Sequence, residues 1–246
     1  MSNISRKIIE ESRLELIDIF DWSRKKSGLT HSSDMWLIGG WAVDAYNPWF
    51  GSRDIDIMAR PKVVTELKKY LYSKKRYSKY RGPDGKIRLY KQVGKEQIEL
   101  DFVNSRQNFE GTTDMISMTI SPENSVSLDL TDKTNVVVPE RSILLGMKIK
   151  AAWDRNFLLK AGKYYDRSYL QDKISKDYGD IIALLDDVYI RNNPLKLQYL
   201  HDEIFSKNYL RNLLKSLTIQ DLKSFQYRTM NPKDCKELID RLLSVT

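Results

Sequence analysis

Two aspartates in Asp54-Ile-Asp-Ile57 carry the chemistry this chain suggests most directly. On a β-strand, residues i and i+2 leave the same face, so Asp54 and Asp56 would point together while Ile55 and Ile57 enter the core. Two like charges held that close destabilise a fold unless a cation sits between them. A second strand pattern, Ile98-Glu-Leu-Asp-Phe102, again places carboxylates, Glu99 and Asp101, on one face. A third carboxylate from a neighbouring strand would complete an oxygen-rich metal site for Mg²⁺ or Mn²⁺. Such ions take few protein ligands and fill their shell with water and substrate phosphates. Upstream, Gly39-Gly40 supplies a turn without Cβ atoms at the start of a short helix, where backbone N–H groups and the positive helix end can face phosphates. Each piece has a plainer reading, a simple turn or a solvated strand face; their combination points to a nucleoside triphosphate.

The elements that must position these residues follow from periodicity. Residues 5–26 repeat apolar positions at helical spacing, with Gly28 as a stop signal. Met35-Trp-Leu-Ile38 reads as a strand, Gly39-Gly40 as a turn and Trp41–Tyr46 as a short helix broken by Asn47-Pro48. Arg53–Met58 alternates as a strand, and Arg60-Pro61 opens a helix with Val63, Val64, Leu67 and Leu71 on one face. Arg88–Val93 and Gln97–Val103 flank Gly94-Lys-Glu96 as a β-hairpin. Further strands are expected at 115–120, 125–130 and 135–138. After Pro139 the pattern turns helical, over about 140–161, 169–190, 194–206, 208–216, 219–227 and 233–244. Asn193-Pro194 and Asn231-Pro232 read as helix caps followed by a first-turn proline. The expected architecture is therefore α/β (α+β): a catalytic domain over 1–139, with a mixed sheet flanked by helices, and a helical bundle over 140–246.

Ile38-Gly39-Gly40, thirteen intervening residues and Asp54-Ile-Asp-Ile57 resemble the signature of the DNA polymerase β-type nucleotidyltransferase superfamily, with a spacer at the long end of its range. Asp101 occupies the place of the family's third carboxylate. Gly39-Gly-Trp-Ala-Val-Asp-Ala45 is similar both to aminoglycoside nucleotidyltransferases and to AbiEii-type nucleotidyltransferase toxins. Gly146–Arg155 and Lys176-Asp-Tyr-Gly-Asp-Ile181 resemble the latter group's Lys-bearing helix and its aspartate motif. The resemblance spans about residues 35–185. It implies that Lys148 and Asp177 are functional, with Lys150, Arg155 and Asp180 as neighbours. Gly39 and Gly40 would hold the triphosphate together with Lys148, and Ser52-Arg53 stands where the family often has a hydroxyl residue before its carboxylates. The implied reaction is transfer of a nucleotide from an NTP to an acceptor hydroxyl, with Asp54, Asp56 and Asp101 as metal ligands and pyrophosphate as leaving group. Lys148 also has a structural reading as a helix-surface residue, and Asp177 as a partner of Arg155 or a helix cap.

Composition narrows the class of partner. The chain has 246 residues, 41 Lys+Arg against 33 Asp+Glu and a net charge of +8, which favours polyanionic partners. Thirteen Lys/Arg fall between Arg60 and Lys95 against Glu66 and Asp84. Lys68–Arg81 interleaves tyrosines with cations, as a surface for bases and phosphates would, or as an amphipathic helix would. A single cysteine, Cys235, excludes an internal disulfide, and two histidines, His31 and His201, are too few for a Cys/His zinc cage. No long apolar run or apolar leader is seen, so a soluble, cytoplasmic protein without a membrane partner is expected. The acceptor expected first is RNA such as a tRNA 3′ end, then a protein hydroxyl. A cognate antitoxin would be a further partner if the chain acts as a toxin. A cationic, aminoglycoside-like acceptor would use Asp166, Asp172, Asp177, Asp180, Asp186 and Asp187. A non-catalytic nucleotide- or nucleic-acid-binding module is the remaining alternative.

Overall fold

The computed structural model describes residues 5–26, 34–82, 87–164, 166–190, 192–223 and 227–246. The chain is mixed α/β and divides into two compact units. One, the sheet unit, runs to Ser105 and takes up Thr119–Pro139; the helical unit comprises Arg106–Met118 and Glu140–Thr246. Among the described residues, no helix is long and apolar enough to cross a membrane.

In the sheet unit, helix α1 (Arg6–Lys25) starts where the Ser5 hydroxyl accepts from the Ile8 amide at 3.2 Å. Its buried face carries Ile8, Leu16, Ile19 and Phe20. Gly28, expected to stop this helix, lies outside the described residues. Strand β1 (Met35–Ile38) leads into α2 (Gly39–Tyr46), then β2 (Ile55–Ala59) and α3 (Pro61–Lys74), whose proline sits in the first turn. Strands β3 (Ser78–Arg81), β4 (Ile87–Val93) and β5 (Glu96–Phe102) complete a five-stranded sheet of order β1-β2-β5-β4-β3. It is mixed: β2 and β5 run parallel, and the other neighbouring pairs antiparallel. Ile55, Ile57, Ile98, Leu100 and Leu89 are buried on one face, as the alternation anticipates. The hairpin β8 (Ser125–Thr131) and β9 (Thr134–Pro139) is tied on by Trp36 Nε1 to Ser125 Oγ at 2.6 Å and by the Tyr46 hydroxyl to the Pro139 carbonyl at 2.8 Å. The expected strand 53–58 begins only at Ile55, so Asp54 lies immediately before it.

In the helical unit, α4 (Arg141–Lys160) and α5 (Arg167–Leu185) pack along each other. The Asp166 side chain caps α5 by accepting from the Tyr169 amide at 3.0 Å. This helix ends five residues before the expected Ile190, because Asp186 leaves helical geometry and its carboxylate accepts from the Val188 amide and the Tyr227 hydroxyl. The expected start at Asn193-Pro194 also moves. There the Asn193 carbonyl accepts from Arg141 and the Lys196 amide donates to Ser142, keeping the segment out of a helix until α6 (Leu197–Tyr199) and a π-helical stretch (Leu200–Phe205). Helices α7 (Asn208–Lys215), α8 (Ile219–Lys223) and α9 (Pro232–Val245) follow. The end of the expected helix 219–227 includes 224–226, outside the described residues. Asn231 caps α9 as the sequence suggests, accepting from the Lys233 and Asp234 amides.

The expected strand 115–120 is shorter, β7 (Met115–Ser117), and pairs with β6 (Arg106–Asn108). Gly111 at the turn has φ +74°, and a β-carbon there would lie 2.7 Å from Phe157 Cδ2 and closer still to the ring edge. The Trp153 indole donates to the Glu110 carbonyl and the Tyr209 hydroxyl to Asp114, which fastens this hairpin within the helical unit.

Candidate active site

The carboxylates come together through strand register. Asp56 lies directly opposite Asp101 across the parallel pair β2/β5, and directly opposite Ile38 across the antiparallel pair β1/β2. Since the isoleucines and leucines between them face the core, Asp56, Glu99 and Asp101 share the other face of the sheet. Asp54 is near enough for its charge to act on Asp101.

Gly39 ties the turn to this pair. Its φ is +71°, and a β-carbon there would lie 2.9 Å from Asp56 Cγ and closer still to Oδ2. The Gly-Gly turn and the Asp-x-Asp strand are thus one structural feature, in which the missing side chain of Gly39 makes room for a carboxylate. Gly40 follows, buried in the first turn of α2. The link from α2 to β2 is shaped by Asp44, whose Oδ1 accepts from the Trp49 and Gly51 amides at 3.1 and 2.9 Å. Buried Ser52 accepts from the Asp54 amide at 3.3 Å, so its hydroxyl fixes the approach to the first aspartate.

Two arginines neutralise the acids. Arg53 Nε lies 3.1 Å from Asp54 Oδ1, and Arg88 Nε lies 3.0 Å from Asp101 Oδ2. Both also face Glu99, at 3.8 Å from Arg53 and 4.0 Å from Arg88. Gln97 donates to Glu99 at 3.0 Å, and the Tyr80 hydroxyl hydrogen-bonds the same carboxylate. Tyr80 stacks edge-on against Tyr90 at 5.5 Å, and burial together with Glu99 pushes its hydroxyl up to about 12. Burial also raises the Asp101 carboxyl above the usual aspartate range; Arg88 opposes that shift, and the charges of Glu99 and Asp54 add to it. As they stand, no three His, Cys, Asp or Glu groups among the described residues are gathered for a metal ion. Two guanidinium groups instead hold Asp54 and Asp101. The donor set is nonetheless all carboxylate oxygen, the kind a hard divalent cation takes.

Glu99 was visible as a face-sharing acid, but its hub position, Arg88 and Tyr80 were not anticipated. Arg88 could be placed only through the hairpin register, which pairs it with Tyr80 and puts it on the face opposite Leu89. The Lys68–Arg81 segment is largely engaged within its own unit. Tyr70 stacks on Trp22 at 4.9 Å, Lys68 lies 5.1 Å over the Phe102 ring, Lys69 pairs with Glu66, Lys75 with Glu15 and Asp18, and Tyr77 is buried.

Lys148 and Asp177 belong to the helical unit and take different partners. Lys148 Nζ lies 2.7 Å from Asp180 Oδ2, and Lys176 lies 3.1 Å from the same atom. Asp177 pairs with Arg155, and Lys150 with Asp154. Burial alone would raise the Asp180 carboxyl, yet Lys148 and Lys176 outweigh it and hold it below the usual range; burial lowers the Lys176 ammonium. Lys148 is buried rather than on the helix surface. No family model and no curated protein matches the chain.

Proposed function

We propose that the sheet unit is the catalytic part of a metal-dependent nucleotidyltransferase, of the DNA polymerase β type that its motifs resemble and closest in kind to AbiEii-type toxins. The observation that carries this reading is the meeting of Gly39, Asp56 and Asp101 at one point of the sheet. Asp54 and Asp56 would hold Mg²⁺ or Mn²⁺, with Asp101 completing the set. When bound, the cation would neutralise the triphosphate and lower the pKa of the acceptor hydroxyl.

The chain's own residues would do the rest. Gly39 and Gly40, at the start of α2, present backbone amides to the β- and γ-phosphates. Asp101, beside the proposed metal position, would take the proton of the acceptor hydroxyl. The hydroxyl oxygen then bonds to the α-phosphorus as the bond to pyrophosphate breaks in line. Ser52 fixes the approach to Asp54, and Arg53 pairs with Asp54 while no cation is bound. Lys148 and Asp177 carry their proposed roles on the resemblance alone.

For the acceptor we favour RNA or a protein hydroxyl, with a cognate antitoxin as a further partner. The net charge of +8 supports a polyanion. At least five of the six aspartates that a cationic acceptor would use are engaged: Asp166 caps a helix, Asp177 and Asp180 hold cations, Asp186 accepts from Tyr227, and Asp187 pairs with Arg141 and Arg241. The test is incubation with each α-³²P-labelled NTP, Mg²⁺ or Mn²⁺, and total RNA or cell extract. Label should enter an RNA or protein band with the wild type and not with Asp56→Ala; an equally active Asp56→Ala protein refutes the assignment.

A further inference from the structure

Glu99 sits between two guanidinium groups that are each bonded elsewhere. Arg53 is 3.1 Å from Asp54 and 3.8 Å from Glu99; Arg88 is 3.0 Å from Asp101 and 4.0 Å from Glu99. Glu99 itself is held from a third side by Gln97 and a fourth by Tyr80, so its carboxylate is fixed in place. All of these side chains are partly buried: Arg53, Arg88 and Glu99 are 24%, 18% and 19% exposed.

An arginine keeps its charge at any accessible pH, so it cannot yield its carboxylate to a cation by losing a proton. A divalent ion arriving at Asp54 and Asp101 would repel both guanidinium groups, and a half-buried charge left without a counter-ion is strongly unfavourable. Both arginines already approach Glu99. We propose that Glu99 is a positioning residue. It receives Arg53 and Arg88 when Asp54 and Asp101 take up the metal ion, and so sets the metal affinity of the site without itself ligating the ion. The inference rests on the metal-dependent reading above and adds to it a residue that acts through the arginines.

The test is a titration of the full chain with Mn²⁺, read by the electron paramagnetic resonance signal of the free ion and requiring no turnover. Glu99→Gln preserves shape and should weaken Mn²⁺ binding roughly 10- to 100-fold, the range typical of residues that support a metal's ligands. In an Arg53→Gln/Arg88→Gln background the same Glu99→Gln change should cost less than about twofold, because nothing remains to be parked. Arg53→Gln/Arg88→Gln alone, which leaves Glu99 untouched, should bind Mn²⁺ more tightly than the wild type. An equal fold-loss for Glu99→Gln in both backgrounds would show a ligand or a simple field effect and overturns the proposal. So does unchanged or weaker binding in the double-arginine variant. Asp56→Ala separates the two levels: if it binds Mn²⁺ like the wild type, the site assignment itself fails. If it does not bind and the Glu99 effect is still background-independent, only the present inference fails.

Discussion

Gly39 stands so close to Asp56 that a β-carbon on the glycine would overlap the carboxylate. Gly94, in the β4–β5 turn, shares the left-handed backbone, φ +60° against +71°, but has nothing within 4 Å of its β-carbon position. Alanine at 94 should therefore cost only the backbone term, about 1–2 kcal/mol. Alanine at 39 should cost that and more, since Asp56 must also move, and should abolish nucleotide transfer. Urea unfolding midpoints of the two variants, with labelling assays beside them, check both statements.

Asp56→Ala removes one of two carboxylates facing each other across β2 and β5. Without metal the expected result is a melting temperature equal to or above that of the wild type, because a like-charge pair is relieved. Thermal unfolding with and without Mg²⁺ measures this; a wild type that gains no stability from Mg²⁺ plus NTP, or an Asp56→Ala variant that gains as much as the wild type, contradicts the site.

A different charge balance governs the helical unit. Asp180 faces Lys148 and Lys176 together, so Asp180→Asn would remove the carboxylate that the two cations share and should destabilise by about 3–5 kcal/mol. Because Asp180 titrates below the usual carboxylate range when folded, its stabilisation is present at neutral pH and is lost as the pH falls through and below about 4. The gap between wild type and Asp180→Asn in urea midpoint should therefore shrink in acid. Lys176→Met leaves a one-to-one pair and relieves a desolvated ammonium, so it should be neutral or stabilising.

Much of the sheet unit was legible because its signals are local. Ile55 and Ile57 alternate with the aspartates, Gly94-Lys-Glu96 marks a hairpin, and Arg60-Pro61 opens a helix. The pairing of Asp56 with Asp101 is non-local, and no periodicity specifies which strand lies beside which; it was expected only from the resemblance. Arg88 and Tyr80 were missed for the same reason, as a strand's polar face gains meaning only once its neighbours are known. Asn193-Pro194 misled because a cap signal is a local preference, and here Arg141 and Ser142 claim the backbone around it. The hairpin Arg106–Ser117 is held by aromatic packing around Gly111, which leaves little alternation to read.

That packing yields its own prediction. Gly111→Ala would force a β-carbon into the Phe157 ring at a positive φ, and should cost roughly 2–4 kcal/mol from strain and overpacking together. Since Trp153 donates to Glu110 in the same hairpin, its fluorescence should report the displacement, while the sheet carboxylates keep their metal response.

The most direct measurement is anomalous diffraction from crystals grown with Mn²⁺ and a non-hydrolysable NTP analogue. The account predicts a manganese peak within bonding distance of the Asp54 and Asp56 carboxylates, with the analogue's phosphates on the α2 side of the ion and Arg53 and Arg88 turned to Glu99. A bound analogue whose manganese lies away from Asp54 and Asp56 would contradict it.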